Sequence, residues 1–271
     1  MRRSGRRHRA ASLIGALLFS LVFPAAAATA DTSEPARSYL LMRDGEIVRE
    51  HDTHLQLQPA SLTKLLTALV VLDSGWDADR WLTVSAGAAA KPPARLGLRA
   101  GEQITAGAAL ASMLIRSAND ACRVLVEGSM RDEAEFRERM NAHALQLGMK
   151  HSRFVDPCGF DAVDQYTTAT DMLKLARAAH DVPLIARLAA MPYAQLETRG
   201  GRTIRFNNTN ALLGRIEGTE GLKTGYTSQA GQCLIAYVRR GRHDVWFVML
   251  GGTDRWWQAH GMINDAFAAV R

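Results

Sequence analysis

The spacing of apolar residues changes character twice along the chain. Ser38-Tyr-Leu-Leu-Met42 and Glu46-Ile-Val-Arg49 are strand-like runs around Arg43-Asp44-Gly45, and Asp-Gly between such runs predicts a hairpin. His51-Asp-Thr-His54 reads as a loop, because two histidines with no third ligand nearby do not make a metal site. Leu65-Leu-Thr-Ala-Leu-Val-Val-Leu72 is apolar on nearly every side and predicts a buried helix with Ser61 in its first turn. A short strand is expected at Trp81–Val84, and a helix from Thr105 to Ile115 with Ala109, Leu110, Met113 and Leu114 on its buried face. Ser117-Ala-Asn-Asp120 interrupts before a helix from Ala121 to Glu127. Glu133 to Leu147 carries the stripe Phe136, Met140, Ala144, Leu147, with Gly148 as its C-cap. Thr170 is expected to cap a helix running to His180, and Pro183–Leu188 forms a shorter one.

Beyond this point the period returns to that of strands. Thr203–Phe206, Gly221–Thr224, Gln232–Val238 and Asp244–Leu250 are strand-like and divided by glycine and polar turns, and a helix from Trp256 to Val270 closes the chain. Strands at both ends with helices between predict an α+β fold: an antiparallel sheet built from both termini with a mostly helical lobe inserted.

Charge alters this picture at the N-terminus. A basic head holding Arg2, Arg3, Arg6, Arg7 and Arg9, an apolar run from Ala10 to Phe23, and small residues at Ala28 and Ala30 predict a signal peptide over residues 1–30, cleaved near Ala30. The domain is then 31–271, exported to the periplasm or beyond the cytoplasm. The net charge of +6 includes those five arginines and no acidic residue of the leader, so removing them leaves +1. That near-neutral balance gives no basis for a nucleic-acid partner. Cys122, Cys158 and Cys233 allow one disulfide and one thiol in an oxidising compartment, with the pairing open.

The chemistry gathers in three short segments. In Pro59-Ala-Ser-Leu-Thr-Lys64, a serine and a lysine three apart share one helix face, so Lys64 can take the hydroxyl proton of Ser61. Ser117-Ala-Asn119 and Lys223-Thr-Gly225 follow in order, and Ser-x-x-Lys, Ser-x-Asn and Lys-Thr-Gly together are far more specific than any one alone.

With these motifs, and with Met140–Met149, Phe154-Val-Asp-Pro-Cys-Gly159, Thr168-Ala-Thr-Asp171 and the run from Lys223 to Gly231, the chain resembles the low-molecular-mass penicillin-binding proteins. These are serine D-alanyl-D-alanine carboxypeptidases and endopeptidases of the bacterial wall. The resemblance implies a β-lactamase/penicillin-binding-protein transpeptidase-like fold. It implies Ser61 as the acyl-ester nucleophile, Lys64 as its base and Ser117 as a proton relay. Asn119, Lys223, Thr224 and Gly225 would bind substrate, with Lys223 also disfavouring the ammonium form of Lys64. The backbone N–H of Tyr226 would complete an oxyanion hole with that of Ser61. Arg255 is a further candidate for a substrate carboxylate. Neither cofactor nor metal is implied. Peptidoglycan stem peptides would be the substrate and β-lactams acylating inhibitors. The short stretch after Leu250 implies a mature chain without a membrane anchor.

Three other functions compete. A β-lactamase would need a glutamate for deacylation, and none occurs from Arg139 to Leu196. A non-catalytic wall-peptide binder would not require every motif residue. Between the two peptidase activities, the compact chain and Asn207-Asn-Thr-Asn210 are more like the endopeptidases than the carboxypeptidases.

Overall fold

The computed structural model describes residues 34–130 and 132–269, so the expected signal peptide lies outside the described residues. The chain opens with strands β1 (Ala36–Arg43) and β2 (Glu46–His51), joined by the expected turn. Asp44 and Gly45 both take positive φ, +50° and +86°, the backbone that Asp-Gly tolerates and most pairs do not. The helical lobe follows: α1 (Lys64–Leu72), β3 (Trp81–Thr83), α2 (Ala86–Ala89), β4 (Gln103–Thr105), α3 (Ala106–Ile115), α4 (Asn119–Ser129), α5 (Glu133–Gln146), α6 (Ala169–His180) and α7 (Pro183–Ala190). The chain returns through β5 (Tyr193–Glu197), β6 (Thr203–Asn207), β7 (Thr219–Thr227), β8 (Gly231–Arg240) and β9 (His243–Gly252) and ends in α8 (Arg255–Ala268).

Strands from both ends form one antiparallel sheet in the order β2-β1-β9-β8-β7. The middle of its central strands, Cys233–Val238 and Val245–Leu250, is apolar at every position because both faces are covered there. Leu41, Leu234, Ala236, Phe247 and Met249 pack with Ala259, Ile263 and Phe267 of α8. The alternate residues Leu40, Ile235, Val248 and Leu250 join the core of the helical lobe. At the centre of that lobe α1 is buried along Lys64–Val71, as its unbroken apolar run requires. One end of the sheet stays open: β7 is an edge strand, and it carries Lys223-Thr-Gly225.

Several boundaries differ from expectation, each for a local reason. Ser61 does not lie in the first α-turn but in a 3₁₀ turn, Ala60–Thr63, entered through Ala60 at φ +47°, and α1 begins only at Lys64. Helix α4 starts at Asn119 rather than Ala121, because Ser117 at φ +59° and extended Ala118 already turn the chain into it. Thr168, not Thr170, caps α6 by accepting from Asp171 N at 3.1 Å, while the Thr170 hydroxyl donates to Thr53 O. Strands β4 and β5 were not expected; each is short and exists by pairing with β3 or β6.

Cys122 of α4 and Cys158 form a disulfide with Cα atoms 5.9 Å apart, leaving Cys233 free and buried. The bond closes a loop of 36 residues, for which chain entropy gives about 3–4 kcal/mol of stabilisation. Reduction, or replacement of Cys122 and Cys158 by alanine, is therefore expected to lower the unfolding free energy by that amount, with a lower denaturation midpoint and a larger m-value from the less constrained unfolded chain; equal midpoints with and without reductant would refute it.

Candidate active site

Ser61 stands where the 3₁₀ turn, helix α4, the loop after α5 and the free edge of β7 meet. In a 3₁₀ turn residues i and i+3 eclipse, which aims Lys64 back at Ser61. Lys64 Nζ donates to Ser61 Oγ at 2.8 Å, to Asn119 Oδ1 at 2.9 Å and to the carbonyl of Cys158. The amine is thus fixed on three sides inside a fully buried side chain. Burial pushes its pKa down from 10.5 to about 7, against an opposing pull from Asp156. Of the two expected causes, a low-dielectric setting and a neighbouring cation at Lys223, burial is the one that lowers Lys64.

The second lysine, likewise buried, belongs to the same cluster. Lys223 Nζ donates to Ser117 Oγ at 2.8 Å and to Thr224 O at 3.0 Å. It too is held well below the ordinary lysine range, first by burial and then by the positive charges of Lys64 and Arg255. Two buried amines this closely coupled do not both carry charge freely. Either can therefore exchange a proton with the hydroxyl it holds.

Ser117 takes its positive φ at the turn between α3 and α4, and its hydroxyl is bonded to Lys223, not to Lys64. Asn119 is committed on both sides: Oδ1 accepts from Lys64, and Nδ2 donates to Pro92 O at 3.0 Å. Its second amide hydrogen has no hydrogen-bond partner among the described residues. Thr224 shares a 2.7 Å hydrogen bond with Thr209, a residue that sequence reasoning did not single out. Thr209 belongs to the Asn207–Asn210 segment, so the likeness noted there is the one signal that marked it.

Gly225 explains its own identity. A Cβ at this position would lie 3.0 Å from Ala60 Cβ and 3.1 Å from Ser61 N, so any side chain would force β7 away from the nucleophile's turn. Tyr226 follows with its ring 64% exposed at the mouth, while its backbone continues the strand edge beside Ser61. Arg255 lines the cleft, but its Nη1 donates to the carbonyls of Gly225 and Cys233. This braces β7, while Arg255 Nε has no hydrogen-bond partner among the described residues.

These groups border an open cleft of about 630 Å³, lined also by Arg116, Gly159, Phe160, Asp161, Thr227 and Ser228. Among the described residues no group of three His, Cys, Asp or Glu side chains could hold a metal. The arrangement supplies a hydroxyl bonded to a near-neutral buried amine, a second hydroxyl bonded to a second buried amine, and a strand edge for an extended peptide. Those are the components of acyl transfer through a serine.

Such a site on an α+β fold of this layout defines a serine DD-peptidase of the penicillin-binding type. The chain belongs to peptidase family S11, described as D-alanyl-D-alanine carboxypeptidase, whose family model matches residues 25–254. It is 31% identical to the D-alanyl-D-alanine carboxypeptidase DacF of Bacillus subtilis over 94% of this chain and 69% of that protein. It is 32% identical to a D-alanyl-D-alanine endopeptidase of Pseudomonas aeruginosa over 76% of this chain and 67% of the relative. It is also 33% identical to the D-alanyl-D-alanine carboxypeptidase DacC of Escherichia coli, over 89% and 64%. The chain thus spans about two thirds of the length of these relatives. Among solved structures, the Streptomyces K15 DD-transpeptidase superposes with a TM-score of 0.81 at 25% identity, covering 87% of this chain and 98% of that one. A D-alanyl-D-alanine carboxypeptidase of Mycobacterium tuberculosis gives 0.79 at 27%, covering 88% and 93%.

Proposed function

We propose that the chain is an exported endopeptidase that cuts D-alanyl cross-links of peptidoglycan through an acyl-enzyme on Ser61. The contact between Lys64 Nζ and Ser61 Oγ, inside a site that lowers the lysine's proton affinity, carries the catalytic part of this reading. An extended stem peptide adds to the open edge of β7, with Gly225 allowing its backbone close to Ser61. Lys64 accepts the proton as Ser61 Oγ bonds to the carbonyl carbon of the penultimate D-alanine. The backbone N–H groups of Ser61 and Tyr226 hold the oxyanion. Collapse breaks the bond to the departing amine, which takes a proton from Ser117, itself reprotonated from the Lys64 and Lys223 pair. Thr224, Lys223 and Asn119 hold the peptide and its carboxylate, with Arg255 in the cleft lining beside Gly225. Water then attacks the ester, Lys64 taking its proton and Ser61 recovering its own, so no cofactor or metal is required. β-Lactams, whose strained cyclic amide stands in for the scissile D-alanyl-D-alanine bond, acylate Ser61, and the resulting ester hydrolyses slowly.

Cutting of cross-links is preferred to removal of a terminal D-alanine because the segment that resembles endopeptidases, Asn207–Asn210, lies against the cleft. Its Thr209 hydroxyl meets Thr224, and Asn208 Nδ2 ties the turn to Ala189 O and Met191 O. The likeness to several carboxypeptidases favours removal of a terminal D-alanine as the second reading. A pentapeptide monomer and a cross-linked dimer offered in parallel, with chromatographic separation of products, tests the preference. Conversion of dimer to monomers is the expected result; release of D-alanine alone, with the dimer intact, would overturn it in favour of the carboxypeptidase.

A further inference from the structure

The lining of the cleft changes along β7. Toward Ser117, Thr209 and Thr224 the exposed Arg116 stands at the rim, and Arg255 joins the lining at Gly225, whose carbonyl it holds. On the other side, beyond Gly225, the lining residues are Tyr226, Thr227, Ser228, Phe160 and Asp161. Asp161 is the one carboxylate among the cleft's described lining residues. Its Oδ1 accepts from Thr227 Oγ1 at 2.6 Å, and Thr227 Oγ1 in turn accepts from Ala230 N at 3.0 Å. Among the described residues no Lys, Arg or His nitrogen lies within ion-pair distance of Asp161. The nearby Lys91 ammonium lies instead over the Phe160 ring, 5.6 Å from its centre. Asp161 is therefore a fixed, half-buried carboxylate with an unpaired oxygen, facing the space that substrate must occupy.

Its place along the strand gives this charge a target. With the attacked carbonyl beside Gly225 and the terminal carboxylate held at Thr224, as in the proposed function, the acyl chain runs the other way along β7. One residue spans about 3.3 Å, so the residue preceding the penultimate D-alanine lies alongside Tyr226 and Thr227, against Asp161. In a stem peptide that position holds the residue whose side chain ends in a primary amine, the group through which cross-links are made. An ammonium there can pair with the free Asp161 oxygen, beside an aromatic face that already accepts a cation.

We propose that Asp161 is a specificity-determining residue that selects acyl donors carrying a free side-chain ammonium next to the penultimate D-alanine. The proposal deepens the reading of the cleft as a stem-peptide site and rests on it. It makes the enzyme prefer donors whose own amine is not yet cross-linked.

The test separates binding from catalysis. Nα-acetyl-L-lysyl-D-alanyl-D-alanine and its Nε-acetylated form are titrated by NMR against the Ser61→Ala chain, which holds peptide without consuming it. The free-amine peptide should bind roughly tenfold more tightly, as expected for one hydrogen-bonded charge. In Ser61→Ala/Asp161→Asn the ratio should fall close to one. In Ser61→Ala/Thr227→Val, which keeps the charge and removes its hydroxyl partner, the preference should persist. Equal binding of both peptides, a preference that survives Asp161→Asn, or one lost with Thr227→Val overturns the proposal. Slower hydrolysis of the acyl-enzyme in Asp161→Asn with an intact binding preference would assign the carboxylate to the water step instead, and also overturns it. Penicillin labelling of the wild-type chain is read separately: its absence would count against Ser61 acylation and leave the binding ratio interpretable.

Discussion

Ser61→Ala should abolish covalent labelling by a fluorescent penicillin while leaving the chain folded. Loss of a serine nucleophile removes roughly 10⁶-fold of rate where it has been measured, because the remaining groups can orient substrate but form no bond to it. The structural consequence is small by comparison. Ser61 Oγ accepts one hydrogen bond, from Lys64, and the lysine keeps Asn119 Oδ1 and the Cys158 carbonyl as acceptors. One lost hydrogen bond is worth about 0.5–1.5 kcal/mol. Labelling measured on gels, beside a thermal melt of the same sample, checks both halves. In the wild-type chain the label should persist for longer than the assay, since among the described lining residues there is no glutamate to activate water and the one carboxylate, Asp161, is tied to Thr227. Labelling that survives in Ser61→Ala, or rapid turnover of nitrocefin by the wild type, would contradict the acyl-enzyme mechanism.

Lys64→Met should slow acylation by about 10²–10⁴-fold, the range of a positioned general base. Two opposing terms keep the stability change small. The substitution removes a buried amine whose burial disfavours charge, but it leaves Asn119 Oδ1 and Cys158 O without their donor. The wild-type pH dependence follows from the same burial. Below about pH 7 Lys64 is predominantly protonated and has no lone pair for the Ser61 proton; above it the neutral amine prevails. The acylation rate should therefore rise through a midpoint near 7 and fall about tenfold per unit below it. The Lys64→Met variant should lack that limb. A wild-type profile flat from pH 5.5 to 8.5, or the same limb in the variant, would place the base elsewhere.

The local part of this site is legible in the sequence. Ser61 and Lys64 are three residues apart, and any helical turn, 3₁₀ or α, stacks them. Continuous apolar runs at Leu65–Leu72 and Asp244–Leu250 correspond to α1 and to a strand covered on both faces. The hairpin at Asp44-Gly45 is equally local. Each of these follows from contacts within a few residues, where backbone geometry leaves little choice.

What was not legible depends on groups that meet across the fold. No periodicity pairs Cys122 with Cys158, puts the Cys158 carbonyl on Lys64, or sets Lys223 against a serine 106 residues away. Sequence names Ser117 as a relay but not its partner, and the structure bonds its hydroxyl to Lys223 of β7. Asp161 and Thr209 carry no motif of their own and enter the site only because loop and strand converge on one cleft. Sequence by itself determined the elements, the order of the three motifs and the Ser61–Lys64 neighbourhood, since propensity, periodicity and i,i+3 spacing act along the chain. Tertiary structure alone decided which amine holds which hydroxyl and which side of the cleft is acidic, since burial and charge act through space.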